Sequence, residues 1–164
     1  MRKTLLLALP VALGLVATAS FVSPALGGAN EFAATIDGLQ EVPPVVTNGS
    51  GNGCFTLNSD NTLSFNIEFS GLTGTETAAH IHGPAPPGAN AGVQFGLPTG
   101  SPKVGSVGPL SAQQVSDLQA GLYYVNIHST TNPGGEIRGQ IIAGACGPVS
   151  VEETTWGRIK SLYD

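Results

Sequence analysis

The stretch Leu63-Ser64-Phe65-Asn66-Ile67-Glu68-Phe69 alternates apolar and polar side chains without interruption. Successive side chains of a β-strand point to opposite faces, so this pattern predicts a strand with one buried side and one solvent-facing side. The same alternation recurs in other short stretches, and the sequence predicts about seven strands. The further apolar positions are Phe32, Ala34 and Ile36; Phe55 and Leu57; Ala79 and Ile81; Val93 and Phe95; Tyr123, Val125 and Ile127; and Ile137, Gly139 and Ile141.

Turn-forming residues separate these stretches. The 164-residue chain contains 23 Gly and 12 Pro, and only 10% of its residues are charged, a composition that favours short strands and tight turns. Ser59-Asp60-Asn61 and Asn132-Pro133-Gly134-Gly135 predict hairpin turns, whereas residues 83–92 and 98–109 predict loops. Short antiparallel strands at this spacing predict an all-β fold, an antiparallel Greek-key β-sandwich.

Two short helices are expected beside the strands. Ser111 is a typical N-terminal cap for residues 111–119, where two apolar side chains share one face, and this predicts a short crossover helix. Apolar residues at helical spacing in residues 152–164 predict a short amphipathic C-terminal helix.

The first 27 residues differ from the rest of the chain. A basic start precedes an almost unbroken apolar run over residues 4–19, and small residues follow at 25–27. This arrangement predicts a secretory signal peptide over residues 1–27; an uncleaved anchor is the weaker alternative, because a spanning helix needs about 20 apolar residues. We therefore expect a secreted or periplasmic protein with no further membrane span, comprising a β-sandwich domain over 28–147 and a tail over 148–164.

Charge and cysteine content narrow the range of partners. The full chain has a formal net charge of −5, and without the signal peptide it keeps four basic and eleven acidic residues, a net charge of −7. So acidic a chain is not expected to bind nucleic acid. In an oxidising compartment Cys54 and Cys146 are expected to form one disulfide. Two metal-binding thiolates are the weaker interpretation, since the pair lacks the close CxxC spacing of metal sites.

The three histidines of the chain are the residues most suited to chemistry. His80 and His82 lie two apart in one predicted strand, and His128 ends another. If the apolar neighbours of each point inward, all three imidazoles point to the outer face. Imidazoles about 6.6 Å apart along a strand can converge on one ion, and a third from a neighbouring strand completes the set. Imidazole nitrogens suit copper, zinc and nickel, and with no thiolate in the set Cu(II) and Zn(II) are the leading candidates, between which these residues do not choose.

A structural role for these histidines stays open, because H-x-H alone is a weak signal and a histidine can simply bind strand ends and loops. By the same parity Glu68, Glu136 and Arg138, with Gln140, lie on outer faces, as does Asn126. These polar residues are candidates to orient the imidazoles through hydrogen bonds. The alternative is a solvated sheet surface with ordinary surface ion pairs.

Four motifs in this order resemble the CHRD domain, the module named after chordin. They are Leu39-Gln40-Glu41-Val42-Pro43-Pro44-Val45, Ala79-His80-Ile81-His82-Gly83, Gly121-Leu122-Tyr123-Tyr124-Val125-Asn126-Ile127-His128 and Gly134-Gly135-Glu136-Ile137-Arg138-Gly139-Gln140-Ile141. The resemblance covers about residues 31–142. It implies an immunoglobulin-like or superoxide-dismutase-like sandwich of the kind found in extracellular proteins, with no settled activity for bacterial secreted members. The family motifs map onto the three histidines and add Tyr124 and Asn126 to a shared site.

The H-x-H strand is also similar to the copper-binding strand of Cu/Zn superoxide dismutase. A fourth histidine and a histidine-rich zinc loop are absent from this sequence. We expect copper binding to survive that difference, but not fast dismutation supported by a zinc bridge.

Three functions follow from these patterns. The first is an exported, non-catalytic domain that binds a metal ion, copper favoured, through its three histidines. The second is an extracellular adhesion or protein-interaction module with structural histidines, in which residues 83–92 form a contact surface. The third is a copper-dependent redox enzyme, which requires an open coordination position. The sequence contains no nucleophile motif that would indicate a hydrolase.

Overall fold

The structure is a computed structural model and describes residues 30–146. The predicted signal peptide (1–27) and the predicted C-terminal helix and tail (148–164) lie outside these residues. The described elements are, in chain order, β1 (Glu31–Asp37), a 3₁₀ turn (Gly38–Gln40), β2 (Ser50–Leu57), β3 (Leu63–Ser70), β4 (Glu76–His82), β5 (Val93–Leu97), β6 (Lys103–Val107), α1 (Ala112–Gln119), β7 (Tyr123–Ser129) and β8 (Ile137–Ala143).

All eight strands pair antiparallel in the order β5-β4-β7-β8-β1-β2-β3-β6. The predicted all-β antiparallel fold with one short helix is confirmed. Its sandwich is one continuous sheet that curls nearly into a barrel around a single core. The two free edges, β5 and β6, follow each other along the chain and are joined by residues 98–102.

The core consists of the inward-facing half of each alternating stretch. In β3, for example, Leu63 and Ile67 are fully buried, whereas Asn66 and Glu68 are exposed. The alternation therefore predicts the inner face correctly. The buried apolar side chains include Phe32, Ala34, Ile36, Phe55, Leu63, Phe65, Ile67, Ala79, Ile81, Tyr123, Val125, Ile127, Ile137 and Ile141.

Helix α1 forms where the sequence predicts it. Ser111 caps the helix with a reciprocal pair of bonds, because its hydroxyl accepts from the Gln114 N–H at 3.3 Å and its own N–H donates to Gln114 Oε1 at 2.9 Å. The helix carries the chain from β6 to β7, and Leu118 anchors it in the core. No helix among residues 30–146 has the length and apolar content that crossing a membrane requires.

Strand β6 lies within residues 98–109, which the sequence predicts to be a loop. Its apolar pattern is inverted: Lys103 points inward and is 1% exposed, whereas Val104 is 67% exposed. Gly105 faces the ring of Phe65, so close that a Cβ atom at this glycine would lie 2.9 Å from Cζ of that ring. Residues 103–107 therefore form a strand because they pair with β3, and not because of their own hydrophobic pattern.

Lys103 and Glu76 form a buried ion pair that we call the seam pair, because it connects edge strand β6 with β4 across the opening of the barrel. The Lys103 ammonium also donates to the carbonyls of Pro98 at 2.7 Å and Gly100 at 3.0 Å. The second carboxylate oxygen of Glu76 accepts from the Gly100 N–H at 2.6 Å. All three ammonium protons thus have acceptors, and the link between the two edges is fixed.

The predicted disulfide is confirmed. Cys54 on β2 and Cys146, three residues after β8, are bonded with their Cα atoms 5.2 Å apart. The bridge spans 92 positions of the sequence and ties the end of the described chain to the sheet.

Candidate metal centre

The candidate site lies on the outer face of the adjacent strands β4 and β7. In their register His80 is opposite Asn126, His82 is opposite Tyr124, and His128 is opposite Ala78. The residues between the histidines point into the core, so all three imidazoles project from the same outer face, as strand parity predicts. Each histidine is half-buried.

The three imidazoles lie close enough to share one ion. Each offers a ring nitrogen, and these three nitrogens lie within 4.8 Å of one another. The shortest separation, 3.2 Å, joins His80 Nδ1 to His128 Nε2. Bonds of about 2.0–2.1 Å to one metal place imidazole nitrogens roughly 3.4 Å apart. Small side-chain rotations therefore suffice to complete a three-nitrogen set.

Backbone carbonyls orient two of the three rings. His82 Nδ1 lies 3.0 Å from the carbonyl oxygen of Ala91, and His128 Nδ1 lies 3.0 Å from that of Pro133. A carbonyl only accepts, so both Nδ1 atoms carry the proton and both Nε2 atoms carry a lone pair. Metal-binding histidines are held in this way. Since His128 Nε2 carries a lone pair, His80 Nδ1 donates a hydrogen bond to it at 3.2 Å.

His82 Nε2 is the atom that most clearly lacks a partner. It is buried, and no hydrogen-bond partner is found for it among residues 30–146. A buried acceptor left unpaired costs about 1–3 kcal/mol. A bound metal ion would remove this cost, because the lone pair on Nε2 is the form that ligates.

The electrostatics of the site favour the neutral forms of His80 and His82. Burial lowers the pKa of His80, and the charges of its two histidine neighbours lower it further. Burial also lowers the pKa of His82, although the hydrogen bond to the Ala91 carbonyl opposes the shift. Neutral imidazole is the form that binds metal, so these shifts favour ligation at neutral pH.

Tyr124 stacks on His82, and Arg138 stacks on Tyr124. The Tyr124 ring is stacked on the His82 ring, with centroids 5.1 Å apart and planes inclined by 9°. The guanidinium carbon of Arg138 lies 3.5 Å from the centroid of the Tyr124 ring. Tyr124 also shares the Ala91 carbonyl with His82, through its hydroxyl at 3.3 Å. Of the residues proposed to orient the imidazoles, Tyr124 contacts one directly and Arg138 acts through Tyr124.

Asn126 lies beside His80 in the register and pairs with a carboxyl that the sequence patterns did not single out, Glu41. The Asn126 amide donates to Glu41 Oε2 at 3.4 Å, while Glu41 Oε1 and Asn126 Oδ1 have no partner among residues 30–146. Burial raises the pKa of Glu41 to about 7, and the Arg138 charge only partly opposes this. Gly135 permits this packing, since a Cβ atom there would lie 2.5 Å from Asn126 Oδ1.

The structure does not bring Glu68 or Glu136 to the histidines. Glu68 is exposed on β3, whose partners are β2 and β6. The Glu136 carboxylate is fully buried and accepts hydrogen bonds from the hydroxyls of Thr47 and Ser129 and from the Thr73 N–H. The acceptors that orient the imidazoles are backbone carbonyls of loops, which side-chain patterns do not reveal.

Glu136→Gln is expected to lower the free energy of unfolding by about 3 kcal/mol at neutral pH. Burial opposes ionisation of Glu136, but the hydrogen bonds to its carboxylate outweigh burial and lower its pKa from 4.5 to about 2. The stabilisation is therefore complete above pH 4.5 and is lost as the pH falls through about 2. Urea unfolding of both proteins at several pH values measures this. A difference that does not shrink in acid would contradict the assignment.

The outer face of β7 and β8 is buried at Tyr124, Asn126, Arg138 and Gln140, which corrects the alternative of a solvated sheet surface there, whereas Glu68 on β3 is solvent-exposed as that alternative expects. Residues 83–92 fold over the buried face. Arg138 is 1% exposed and donates to the Asn90 side chain at 3.2 Å, and Gln140 is buried and donates to the Ala85 carbonyl at 2.9 Å. Polar side chains on this face thus hold the loop that carries Ala91, the acceptor for His82.

The chain is similar to known proteins. The family model described as the CHRD domain matches residues 32–141. Chordin from Xenopus laevis is 32% identical over 114 residues, an alignment that covers 63% of this chain and 12% of chordin. The chain therefore spans about an eighth of that relative's length. No solved structure matches.

Proposed function

Since the chain belongs to the CHRD family, we propose that it is an exported CHRD domain that binds one metal ion, copper in preference to zinc, through His80, His82 and His128. The domain acts in this proposal by holding the ion and not by catalysis. Export is supported by the predicted signal peptide and by the disulfide between Cys54 and Cys146, since such bonds persist in oxidising compartments.

The observation that carries the proposal is the unpaired His82 Nε2. Its ring is fixed by the Ala91 carbonyl and by stacking on Tyr124, so the lone pair cannot easily turn to another partner. A purely structural histidine would be expected to have both ring nitrogens paired or solvated. Two more imidazoles beside this atom complete a ligand set.

The choice of metal rests on the donor atoms. The set consists of three imidazole nitrogens, and among residues 30–146 no carboxylate or thiolate joins the group. Nitrogen donors bind divalent copper more tightly than divalent zinc in the general order of stability. Zinc would additionally need a fourth ligand to reach its tetrahedral geometry.

Each of the variants His80→Ala, His82→Ala and His128→Ala is expected to weaken copper binding at least a hundredfold, because each removes one of only three ligands. Isothermal titration of the purified domain with Cu(II) and Zn(II) measures the stoichiometry and the dissociation constants. The wild-type domain is expected to bind one ion, and copper more tightly than zinc.

Glu68→Gln is the matched control for this titration. It removes a carboxylate from the far part of the sheet and leaves the histidines untouched, so it tests whether cations merely collect on an acidic surface. Affinity unchanged in Glu68→Gln and lost in the histidine variants supports the proposal. Binding that survives in all three histidine variants would contradict it, and copper-dependent turnover above that of free copper would contradict the non-catalytic role.

The second candidate is an extracellular protein-interaction module, and one surface favours it. Leu39 and Val46 are 77% and 98% exposed. Leu39, Pro44 and Pro87 line a cleft of about 290 Å³ whose other walls include Glu41 and Arg138. Apolar side chains exposed around a cleft are typical of contact surfaces. This candidate predicts that added copper leaves the stability of the domain unchanged, whereas the first predicts a rise in melting temperature.

A further inference from the structure

The Arg138 guanidinium is a permanent positive charge close to the candidate site. The Arg138 guanidinium and the His82 ring both stack on the Tyr124 ring. Tyr124 lies on β7 between β4, which carries His82, and β8, which carries Arg138, so the two approach the ring from different sides. Arginine stays charged in proteins, and this one is 1% exposed, so water screens its charge only weakly. The charge therefore acts on whatever ion His82 binds.

The guanidinium is held firmly in this position. It donates to the Ala89 carbonyl at 2.8 Å, to the Asn90 side-chain oxygen at 3.2 Å and to Gln140 Oε1 at 3.4 Å. Two of these acceptors lie in residues 83–92, which we call the covering loop because it folds over the outer face of β7 and β8, and the third lies on β8. All are on the side of the Tyr124 ring away from the metal site. Arg138 thus cannot swing away to relieve repulsion from a bound cation.

Little negative charge offsets this cation. Among residues 30–146 no carboxylate belongs to the group of candidate ligands. Glu41 is the acidic residue that interacts with Arg138, and burial raises its pKa to about 7, so near neutral pH a good part of it is uncharged. The surroundings of the three histidines are consequently neutral to positive.

We infer that the three-histidine site selects the monovalent ion Cu(I) over Cu(II) and Zn(II), an inference that rests on the proposed function. Repulsion from Arg138 grows with the charge of the ion and is therefore twice as large for a divalent ion. Three nitrogens complete the coordination of Cu(I), whereas Cu(II) prefers a tetragonal set with more donors and Zn(II) a tetrahedral one. The ion is taken up and released as Cu(I), so no electron transfer is needed at the site.

Competition titrations on the wild-type domain test this directly. The probes are Cu(I) under anaerobic conditions with a chromogenic Cu(I) chelator, and Cu(II) and Zn(II) with competing chelators of known affinity. Ascorbate serves as the reductant and thiols are left out, because a thiol would open Cys54–Cys146 and create new Cu(I) ligands. The expected result is a dissociation constant for Cu(I) at least tenfold below that for either divalent ion.

Arg138→Met isolates the charge. It keeps an unbranched side chain against the Tyr124 ring and is expected to reduce the preference for Cu(I) about tenfold, the size of a partly screened charge interaction across roughly 10 Å. Arg138→Lys is the matched control, since it keeps a positive charge on an unbranched side chain but loses the guanidinium hydrogen bonds to Ala89 and Asn90. Its preference for Cu(I) is expected to stay at the wild-type value.

The outcomes separate the two proposals. If the wild-type domain binds none of the three ions, the proposed function fails. If it binds Cu(II) through the histidines as tightly as Cu(I), and Zn(II) more weakly, the proposed function stands and the selectivity for Cu(I) is overturned. If Zn(II) binds as tightly as copper, both the selectivity and the preference for copper in the proposed function are overturned. An equal loss of preference in Arg138→Met and Arg138→Lys would overturn the role of the charge. The wild-type comparison decides the selectivity even if Arg138→Met does not fold.

Discussion

Glu76→Gln is expected to lower the free energy of unfolding by about 3–5 kcal/mol. The substitution leaves the ammonium of Lys103 buried without its anionic partner, and the Lys103 side chain is fully shielded from solvent. In the wild-type protein the Gly100 N–H donates to Glu76 Oε2 at 2.6 Å, and the substitution also weakens this acceptor. Urea unfolding followed by fluorescence or circular dichroism measures the change.

Two further variants make this expectation specific. Glu68→Gln removes an exposed carboxylate from the same sheet and is expected to change stability by less than about 0.5 kcal/mol. The double variant Glu76→Leu, Lys103→Met removes both charges and is expected to be more stable than Glu76→Gln, since no unpaired buried charge remains. A loss in Glu76→Gln as small as that in Glu68→Gln would show that the seam pair does not stabilise the fold.

Reducing or removing the disulfide is the second change with a large expected effect. The double variant Cys54→Ser, Cys146→Ser is expected to lose about 4–5 kcal/mol, the chain-entropy value for a loop of this length. The bond joins positions 92 apart and so restricts most of the domain in the unfolded state. Thermal or urea unfolding of the variant, compared with wild type, measures the loss.

Wild-type protein treated with a reductant is the control for this variant, because it carries no substitution and should show the same loss. The strands β1, β2 and β8 remain hydrogen-bonded without the bridge, so the reduced domain should keep its far-ultraviolet circular dichroism at low temperature. A loss below about 1 kcal/mol in both proteins would mean that the unfolded chain is not the state on which the bond acts.

The position of the three histidines was predictable, because it depends only on alternation. Once Ile81 and Val125 are buried, strand geometry puts His80 and His128 on the other face, and pairing of the two strands brings them together. What covers that face was not predictable in the same way. The loop that carries Ala91 directly follows β4, but the way it folds back over this face, and the contact of its carbonyl with His82, leave no trace in side-chain patterns.

Strand β6 and Glu41 escaped prediction for a related reason. In β6 the inward positions are occupied by Lys103 and Gly105, so the apolar alternation that marks the other strands is missing. A carboxyl such as Glu41 is normally solvated, and only the proline-rich segment that folds against β8 buries it. The sequence motif containing Glu41 suggested the family, but its place beside Asn126 required the tertiary structure.

The inward-pointing lysine of β6 also bears on how the domain behaves at high concentration. An edge strand offers unpaired backbone groups on which another chain can form intermolecular β-structure, and Val104 and Val93 add exposed apolar side chains at the two edges. A foreign strand that paired there would have to displace a charge already held by Glu76 and by two carbonyls of the connecting segment. The same ion pair that closes the barrel thus protects the edge against templated aggregation.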